Sequence, residues 1–432
     1  MNMPGFRRNL RVSIAKVHVN QWLPPRLQAR LAEKLLIRAV HQAYAEVPYY
    51  RKSFDDAGIR IDSIRTRDDL KKLPFLTKQD VREHYPREIV AHGTNTAKCH
   101  YSATTGSTGR SLPFVFNHFT YAFYLATSLR VYTMFGYRPW HRIAYIKYTG
   151  IETPSAGPFF RANHISSILP VKEQIRLLIG GKPDLLVGYA SIILEIARTI
   201  TPDELKKLNF KFICVNSELS TQYERDFIAG VFGCPVYDEY STEETWMVAS
   251  QCREHQYHLF TDNVWVEFLR QDGGECAPGE PGEIILTTLR SPAMPFIRYR
   301  IGDLGRYSDV RCPCGRGFPV LLGFEGRSDD AFILPSGRYI SPLKILNTFT
   351  LFMKQHLHLM EEFKVVQVSR GQVVIDLVKG KDFQDSVFRD LVASLRAIFN
   401  EPVEIIPRFV DAIAVSGIKR KAIESRINKT LN

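Results

Sequence analysis

The sequence has no apolar run as long as the ~18 residues that a membrane-spanning helix needs, and it shows no signal peptide. Its seven cysteines are few and odd in number for a chain of 432 residues, which favours reduced thiols over a disulfide framework. Lysine and arginine (57) outnumber aspartate and glutamate (45), giving a formal net charge of +12, yet they form no long basic tract. We therefore expect a cytoplasmic protein with no transmembrane segment and no nucleic-acid partner.

The middle of the chain alternates short apolar runs with helical patterns. Strand-like runs and helical patterns follow one another in the order 142–148, 174–179, 184–188, 190–199, 210–215 and 223–232. This alternation predicts α/β layers with a largely parallel sheet.

Helical periodicity also predicts elements before this region. Apolar residues between 26 and 45 predict an amphipathic helix that ends before Pro48, because the residue preceding a proline resists helix. A short helix is expected over 63–73. Thr77 and Asp80 form an N-capping pair that opens the next helix.

The last hundred or so residues predict a small α+β unit. Its elements are a hairpin, an amphipathic helix and a further strand, at 363–368 with 373–378, 383–399 and 403–406. We therefore expect at least two domains, as the length of the chain suggests.

A short segment near residue 100 is rich in hydroxyl side chains and glycine. It consists of Thr104, Thr105, Gly106, Ser107, Thr108, Gly109 and Arg110. Glycine lets backbone N–H groups approach an anion closely, while the hydroxyls and the guanidinium add donors for phosphate oxygens. It is not a Walker loop, because no Gly-Lys-Ser/Thr follows at the required spacing. Taken alone, such a segment is more often a flexible loop.

Three further stretches carry groups suited to a nucleotide. Residues 237–244 end a predicted strand with clustered carboxylates, which either hold Mg²⁺ or form an exposed acidic turn. Asp303 follows a glycine turn after the apolar run 295–301, and it either accepts a ribose diol or pairs with a nearby arginine. Residues 326–330 form a polar joint or a plain turn.

These four stretches occur in the order and approximate spacing of the core motifs of the adenylate-forming superfamily. The chain resembles its phenylacetate–CoA ligase-like branch, which includes ligase-like proteins of capsular polysaccharide biosynthesis, from about Leu35 to Ile427. It departs from the family pattern at Ser111, Ser241 and Ile301, where proline, glycine and threonine are usual. The resemblance implies an α/β fold in two parts.

The first part would be a large multi-layer adenylation domain with mixed sheets, residues 1–328. The second would be a small mobile α+β domain, residues 329–432, which carries the catalytic lysine. Asp329 would be the hinge between them. The domain boundary is thus an implication of the family likeness.

The resemblance also implies a role for each nucleotide motif. Residues 104–110 would bind the β- and γ-phosphates of ATP. Tyr240 and Ser241 would lie against the nucleotide, Asp303 would bind the ribose, and Arg327 would contact the nucleotide.

Two catalytic residues follow from the same likeness, each with an alternative left open. Glu244 matches the glutamate associated with Mg²⁺, although Glu243 stands beside it. Lys419 matches the terminal catalytic lysine, although Ile418 separates it from the preceding glycine and Lys421 remains an alternative.

A cysteine and histidine set suggests a zinc site. Cys312 and Cys314 form a tight Cys-x-Cys knuckle, and Cys252 with a histidine would complete the tetrahedral set that structural zinc favours. Relatives of this branch carry a similar set with the histidine just before an apolar pair, which His258 fits better than His255. We expect a structural Zn²⁺.

The implied reaction is ATP- and Mg²⁺-dependent activation of a carboxylic acid to an acyl-adenylate, followed by transfer to a thiol, foremost coenzyme A. We expect an aryl or arylacetic acid, because aromatic residues are available either to line a pocket or to fill the core: Tyr145, Tyr148, Phe159, Phe160, Tyr189 and Trp246. A carrier-protein thiol or an amine is the alternative acceptor.

Two readings from other classes stay open. One is a nucleotide-binding homologue without turnover, and the other is a peripheral membrane factor that uses the basic segment 7–11. The partners expected are the acid, ATP and the thiol acceptor, with a homodimer as an open oligomeric state.

Overall fold

The structure is a computed structural model that describes residues 5–104, 112–148, 159–356, 359–413 and 421–427. Its helices, in chain order, are α1 Phe6–Asn20, α2 Pro25–Glu46, α3 Pro48–Asp56, α4 Lys78–His84, α5 His118–Phe135, α6 Val171–Gly181, α7 Ala190–Thr199, α8 Pro202–Leu205, α9 Gln222–Phe232, α10 Pro342–Gln355 and α11 Asp385–Phe399. Within this described part, no helix is both long enough and apolar enough to cross a membrane.

The strands that precede residue 330 are β1 His100–Thr104, β2 Leu112–Phe116, β3 Ile143–Lys147, β4 Ala162–Ser166, β5 Leu185–Tyr189, β6 Phe212–Asn216, β7 Val236–Thr242, β8 Trp246–Gln251, β9 Tyr257–Leu259, β10 Val264–Leu269, β11 Gly282–Thr288, β12 Tyr299–Ser308 and β13 Val320–Arg327. The later strands are β14 Phe332–Ile333, β15 Tyr339–Ile340, β16 Met360–Ser369, β17 Gln372–Lys379, β18 Glu404–Phe409 and β19 Ile423–Ser425.

Packing divides the chain into two compact units that each draw on separate stretches of sequence. The first comprises Met1–Pro139, Tyr237–Ile301 and Gly305–Gly323. The second comprises Trp140–Val236, Gly302–Leu304 and Phe324–Asn432. The domain boundary expected at residue 328 separates two parts that would rotate relative to each other. Division by packing does not test such a rotation, so this boundary stays a prediction.

The first unit is built on mostly antiparallel strands with helices α1 to α5. Its strands run in the order β10-β11-β12-β13-β9-β8-β7, and the pairs β10–β11, β13–β9, β9–β8 and β8–β7 are antiparallel. Helix α5 is buried along most of its length, and even Arg130 on it is fully enclosed. Its guanidinium Nη1 donates to Asp262 Oδ2 at 2.8 Å and lies over the ring of Phe260.

The second unit begins with four parallel strands in the order β6-β5-β3-β4. Strands β3, β5 and β6 are nearly continuous apolar runs, and α6, α7 and α9 pack with them in one apolar core, whereas β4 has exposed side chains. Tyr189 pairs in register with Asn216, and Gly188 pairs with Ile146. Lys147, which follows Ile146, therefore lies at the same level of the sheet as Tyr189 and Asn216. The carboxyl ends of three adjacent strands are therefore aligned.

The remainder of the second unit is a small α+β assembly. Its four-stranded sheet has the order β18-β17-β16-β19, with β16 and β17 as an antiparallel hairpin and the outer strands parallel to their neighbours. Helices α10 and α11 cover it with the apolar core that contains Phe349, Leu391 and Phe399. The α+β class of this part is as expected, while its mobility stays a prediction.

Several local predictions are confirmed. Helix α2 ends at Glu46, and Thr77 and Asp80 form a reciprocal capping box at the start of α4. The strands and helices predicted between 142 and 232 are present, and the overall class is a mixed α/β fold. The single helix expected over 63–73 is only partly present, as a 3₁₀-helix over Arg67–Lys72. Its place is taken by separate 3₁₀ turns at Ile61–Ser63 and Arg67–Lys72, the second opened by its own capping box.

Candidate active site

The hydroxyl-rich segment falls mostly outside the described residues. Residues 105–110 are not among them, and of Thr104 only the backbone is described, as the last residue of β1. Strand β1 pairs antiparallel with β2, Thr104 lying opposite Leu112. The expected phosphate-binding role of this segment stays a prediction.

The neighbouring glutamates after β7 have different surroundings. Glu244 is buried, and its Oε1 accepts a hydrogen bond of 2.9 Å from the hydroxyl of Tyr299. Glu243 is exposed, and its Oε2 accepts a hydrogen bond of 3.0 Å from the hydroxyl of Ser102 on β1. The Glu244 carboxylate is thus held by a buried tyrosine of the first unit, whereas the Glu243 carboxylate lies beside β1, which ends at Thr104.

The strand that carries these glutamates is irregular at the predicted nucleotide-binding residues. The pairing of β7 with β8 shifts register between Tyr240 and Ser241, a β-bulge that re-aims the side chains that follow. Beyond it, Trp246 adopts a left-handed backbone with φ 61°. Upstream, Asp238 is held by a 2.6 Å hydrogen bond from the hydroxyl of Tyr257. Bulges of this kind are frequent next to active sites.

In the second unit, Asp303 and Arg327 lie side by side. The Nη1 atom of Arg327 is 3.6 Å from Oδ1 of Asp303. Gly302 has φ 84°, and a Cβ at that position would come within 3.3 Å of the Arg327 guanidinium. Ser328 closes the corner by donating to the carbonyl of Gly302 at 3.1 Å. The stretch that ends at Asp303 and the stretch 326–330 are therefore adjacent in the structure.

The expected hinge lies in a 3₁₀ turn, Ser328–Asp330, in which Asp329 is exposed. The next residue, Asp330, forms an ion pair of 2.6 Å with the ammonium of Lys421. Burial raises the pKa of Asp330 above its ordinary value, although Lys421 opposes this. Lys419 lies outside the described residues, so the structure places only its alternative, Lys421.

Further polar residues gather where the parallel strands end, and the sequence reasoning did not select them. Lys147 Nζ donates to Asn216 Oδ1 and, at 3.0 Å, to Ser217 Oγ. The same ammonium lies 4.5 Å from the ring centroid of Tyr189. Glu218 accepts a 2.9 Å hydrogen bond from the backbone N–H of Ser191, in the first turn of α7. A lysine closing an apolar strand was the signal that could have drawn attention to this place.

The aromatic residues proposed for an acid pocket have different environments. Trp246 stacks on Tyr124, with ring centroids 5.6 Å apart, and its indole N–H donates to Ser128. Tyr145 is buried within β3, whereas Tyr148 is exposed. For Trp246, packing within its own unit accounts for these two contacts.

The predicted metal ligands come together in the first unit. One donor atom from each of Cys252, His258, Cys312 and Cys314 can be chosen so that all four lie within 4.8 Å of one another. The Sγ atoms of Cys252 and Cys312 are 3.5 Å apart, and His258 Nε2 is 3.2 Å from Cys314 Sγ. The alternative ligand, His255, instead stacks on Tyr237.

The spacing of these four side chains fits a tetrahedral ion. Zinc–sulfur bonds of about 2.3 Å would place two sulfur ligands about 3.8 Å apart, close to the separation of Cys252 and Cys312. Burial lowers the pKa of His258 to about 4, so the imidazole is neutral and able to ligate. Burial alone would raise the pKa of the Cys314 thiol, but hydrogen bonds from Arg316 and Cys312 outweigh it and the pKa is lowered.

The knuckle also rests against the connection between α1 and α2. The Arg316 guanidinium lies 4.8 Å from the ring centroid of Trp22, and the N–H of Gly317 donates to the carbonyl of Gln21 at 3.0 Å. A Cβ at Gly317 would lie 1.8 Å from the carbonyl oxygen of Leu23, so only glycine fits there.

Comparison with known proteins identifies the class. No family model matches the chain. A solved structure of 2-hydroxyisobutyryl-CoA ligase, in the postadenylation state with R3-HIB-AMP, superposes with a TM-score of 0.79 over 94% of this chain and 91% of that one, at 19% identity. At this identity the likeness shows the fold alone, which is that of an acyl-CoA ligase.

Sequence relatives narrow the class to a family. The chain is 30% identical over 329 residues to phenylacetate-coenzyme A ligase of Aromatoleum evansii, covering 68% of this chain and 69% of that protein. It is 26% identical over 261 residues to protein CapK of Staphylococcus aureus, covering 54% and 53%. The chain belongs to the phenylacetate–coenzyme A ligase family of adenylate-forming enzymes. The expectation of an AMP-forming acid–thiol ligase is confirmed at this level.

Proposed function

We propose that this protein uses ATP to convert a carboxylic acid to an acyl-adenylate and then transfers the acyl group to coenzyme A. The observation that carries the proposal is family membership over two thirds of the chain. The names of two relatives, phenylacetate–CoA ligase and 2-hydroxyisobutyryl-CoA ligase, each specify an acid and coenzyme A. Transfer to an amine or a carrier protein, and a role without turnover, have no comparable support.

The nucleotide would lie among the motif residues. We assign the ATP phosphates to residues 104–110, the nucleotide's face to Tyr240 and Ser241, and its ribose to Asp303. Arg327 supports this assignment, because its guanidinium lies beside the Asp303 carboxylate and can orient it. Catalysis of this type needs positioning and charge stabilisation rather than a protein nucleophile.

We assign the Mg²⁺ that accompanies ATP to Glu244. Its carboxylate is buried and is oriented by the Tyr299 hydroxyl, and Mg²⁺ prefers such oxygen ligands together with phosphates. Glu243 is the alternative, since it lies beside Ser102 on the strand that enters the phosphate-binding segment. Comparing Glu244→Gln with Glu243→Gln in ATP–pyrophosphate exchange separates them, because only the variant of the true ligand should shift the Mg²⁺ requirement.

We assign the catalytic role to Lys419 and the hinge to Asp329. Lys421 is already engaged with Asp330 next to the hinge, which makes it an anchor rather than a group that reaches the α-phosphate. In this assignment the 329–432 domain rotates between adenylation and thiol transfer and so shields the adenylate from water.

ATP–pyrophosphate exchange tests the function directly. A panel of aryl, arylacetic and fatty acids is compared in the wild type, Lys419→Ala and Lys421→Ala. We expect acid-dependent exchange that falls by roughly 10²–10³-fold in Lys419→Ala, as for the loss of a charge-stabilising donor, and by less than tenfold in Lys421→Ala. Exchange that survives in Lys419→Ala but is abolished in Lys421→Ala would reverse the assignment. Absence of exchange with every acid would contradict adenylation.

We also propose a structural zinc ion held by Cys252, His258, Cys312 and Cys314, on the strength of their mutual spacing. Zinc content measured by plasma mass spectrometry should be one ion per chain, and Cys314→Ser should lose it. Cys99→Ser is the matched control, because Cys99 is a thiol outside the cluster. Full zinc content in Cys314→Ser, or none in the wild type, would contradict the site.

A cytoplasmic location and a homodimer stay predictions. Cell fractionation tests the first, and light scattering of the purified chain tests the second. The peripheral-membrane reading is tested by sedimentation with anionic vesicles, which should not retain the protein.

A further inference from the structure

Tyr299, whose hydroxyl donates to the Glu244 carboxylate, follows a residue with an unusual backbone. Arg298 has φ 49°, in the left-handed region that is unfavourable for residues other than glycine. Such a conformation persists only where the surrounding structure determines it, and it is found preferentially at functional sites. The contacts that hold Arg298 therefore bear on the position of Tyr299.

The Arg298 side chain is enclosed in the first unit and has a carboxylate partner. Only 4% of it is exposed, and it pairs with Glu267 on β10, of which 10% is exposed. The pair has two contacts, Nη2 to Oε1 at 2.9 Å and Nε to Oε2 at 3.2 Å. An arginine fork that meets a carboxylate at two points has one defined orientation, which a single contact does not give.

The segment before α4 and strand β11 hold Arg298 from other directions. Its Nη1 atom donates to the carbonyl of Leu73 at 2.7 Å, and the guanidinium lies 4.2 Å from the ring centroid of Phe75. The N–H of Leu76 donates to the carbonyl of Arg298 at 3.1 Å, and the N–H of Arg298 donates to Thr287 Oγ1 at 2.9 Å. Both the side chain and the backbone of this residue are thus held, which accounts for its strained conformation.

The next side chain depends on this fixed backbone. Tyr299 is fully buried, its ring packs edge-on to Phe296, and its hydroxyl donates to Glu244 Oε1 at 2.9 Å. Because a tyrosine ring is rigid, a displacement of the backbone at residue 298 is carried to the hydroxyl. A hydrogen bond weakens when its distance and angle leave the preferred range. The placement of Arg298 therefore contributes to the orientation of the Glu244 carboxylate.

We propose that Arg298 and Glu267 are positioning residues for the binding of Mg²⁺ with ATP: their pair fixes the backbone that presents the Tyr299 hydroxyl to Glu244. This inference rests on the proposed function, because it takes Glu244 as a ligand of that ion. Arg298 acts through Tyr299 and is not itself a ligand. Removing an outer partner of this kind commonly lowers metal affinity or activity by about 10- to 100-fold.

The Mg²⁺ requirement tests the proposal. Calorimetry of ATP binding over a series of Mg²⁺ concentrations measures it without turnover. The Mg²⁺ concentration for half-maximal binding should rise by roughly 10- to 100-fold in Tyr299→Phe and by roughly tenfold in Arg298→Lys, which keeps the charge but not the two-point pair. Glu267→Gln disturbs the same pair from its other side and should act in the same direction, so it provides the test where Arg298→Lys does not fold.

A double variant separates positioning from a merely structural role. Because Arg298 acts through Tyr299, Arg298→Lys should raise the Mg²⁺ requirement by less than about threefold in the Tyr299→Phe background. Arg408→Lys is the matched control: Arg408 in the second unit makes a two-point pair with Asp376, and its variant should leave the requirement unchanged. Shifts that multiply in the double variant, or an unchanged requirement in Tyr299→Phe or in the folded pair variants, would overturn the proposal.

ATP–pyrophosphate exchange distinguishes failure of this inference from failure of the proposed function. A raised Mg²⁺ requirement for ATP binding in Arg298→Lys, with no exchange by the wild type for any acid, would contradict adenylation and leave the role of Arg298 standing. Acid-dependent exchange with the same Mg²⁺ requirement in the wild type, Arg298→Lys and Glu267→Gln would support adenylation and overturn the role of the pair.

Discussion

Two ion pairs, one in each unit, differ in how completely protein encloses them. The Arg130–Asp262 pair of the first unit is fully buried, with 0% exposure of both side chains, and Asp262 also accepts a 3.0 Å hydrogen bond from Asn20. The Lys421–Asp330 pair of the second unit leaves 43% of the lysine side chain exposed. The first pair can be broken only at the expense of the fold, whereas in the second pair solvent already reaches the lysine, although Asp330 is buried. The same kind of ion pair thus forms a permanent structural contact at Arg130–Asp262 and a contact that can be released at Lys421–Asp330.

The largest expected effect is the loss of one partner of the enclosed pair. Arg130→Met should destabilise the protein by about 3–5 kcal/mol, because Asp262 would be left as an uncompensated buried charge. Denaturant unfolding measures this. Arg176→Met is the control: it removes an exposed pair with Glu173 and should leave the free energy of unfolding nearly unchanged. A loss for Arg130→Met no larger than that of the control would show that the enclosed pair is not a permanent structural contact.

Replacing both partners should recover much of the stability that Arg130→Met loses. In the double variant Arg130→Met with Asp262→Leu no charge is left buried, so its stability should lie within about 2 kcal/mol of the wild type. The coupling energy from the double-mutant cycle is the quantity to measure. Strictly additive losses would mean that the residues act through separate contacts.

Breaking the releasable pair should cost much less stability. Lys421→Met should lower the free energy of unfolding by less than Arg130→Met does, because solvent already reaches the ammonium and the Asp330 carboxyl can take up a proton when its cation is removed. Its effect should appear instead in the overall rate of thioester formation, since the pair joins the hinge turn to residue 421. Denaturant unfolding and a thioester assay on one preparation provide both readouts. A stability loss as large as that of Arg130→Met would erase the distinction between the pairs.

The smallest expected effect is a pH dependence. Burial raises the pKa of Asp330 above 3.8, so the native carboxyl keeps its proton to higher pH than the unfolded one. The stability that Asp330 contributes is therefore complete below the unfolded value and is lost as pH rises through the folded pKa. The free energy of unfolding of the wild type, minus that of Asp330→Asn, should fall as the pH rises above 3.8. A difference that grows with pH would contradict a raised pKa.

Local patterns predicted most of the elements but not all of them. Helix α2 and the capping box at Thr77 follow from neighbours within a turn or two, so the sequence was sufficient. The segment 63–73 has helical composition, yet Thr66 and Asp69 cap a separate 3₁₀-helix over Arg67–Lys72 and no continuous helix spans the segment. Thr66 and Asp69 could cap the start of a helix or interrupt a longer one. Which of these occurs depends on packing against the rest of the protein, which the segment alone does not encode.

The site shows the same limit at longer range. The clustering of the cysteine and histidine side chains was predictable because Cys312 and Cys314 are close in sequence and their residue types are distinctive. The group around Lys147 was not, because the alignment of Lys147 with Asn216 depends on the register of three strands. No local pattern records that register.

The Cys-x-Cys knuckle has a consequence for the unfolded chain. Cys252 and Cys312 are 60 residues apart in sequence, and an ion shared by them would close that loop. In the chain-entropy description, closing a loop of this length removes about 4 kcal/mol of conformational freedom from the unfolded state. Zinc ligated in this way would therefore act as a removable cross-link. Its loss would enlarge the unfolded ensemble as well as weaken the native state.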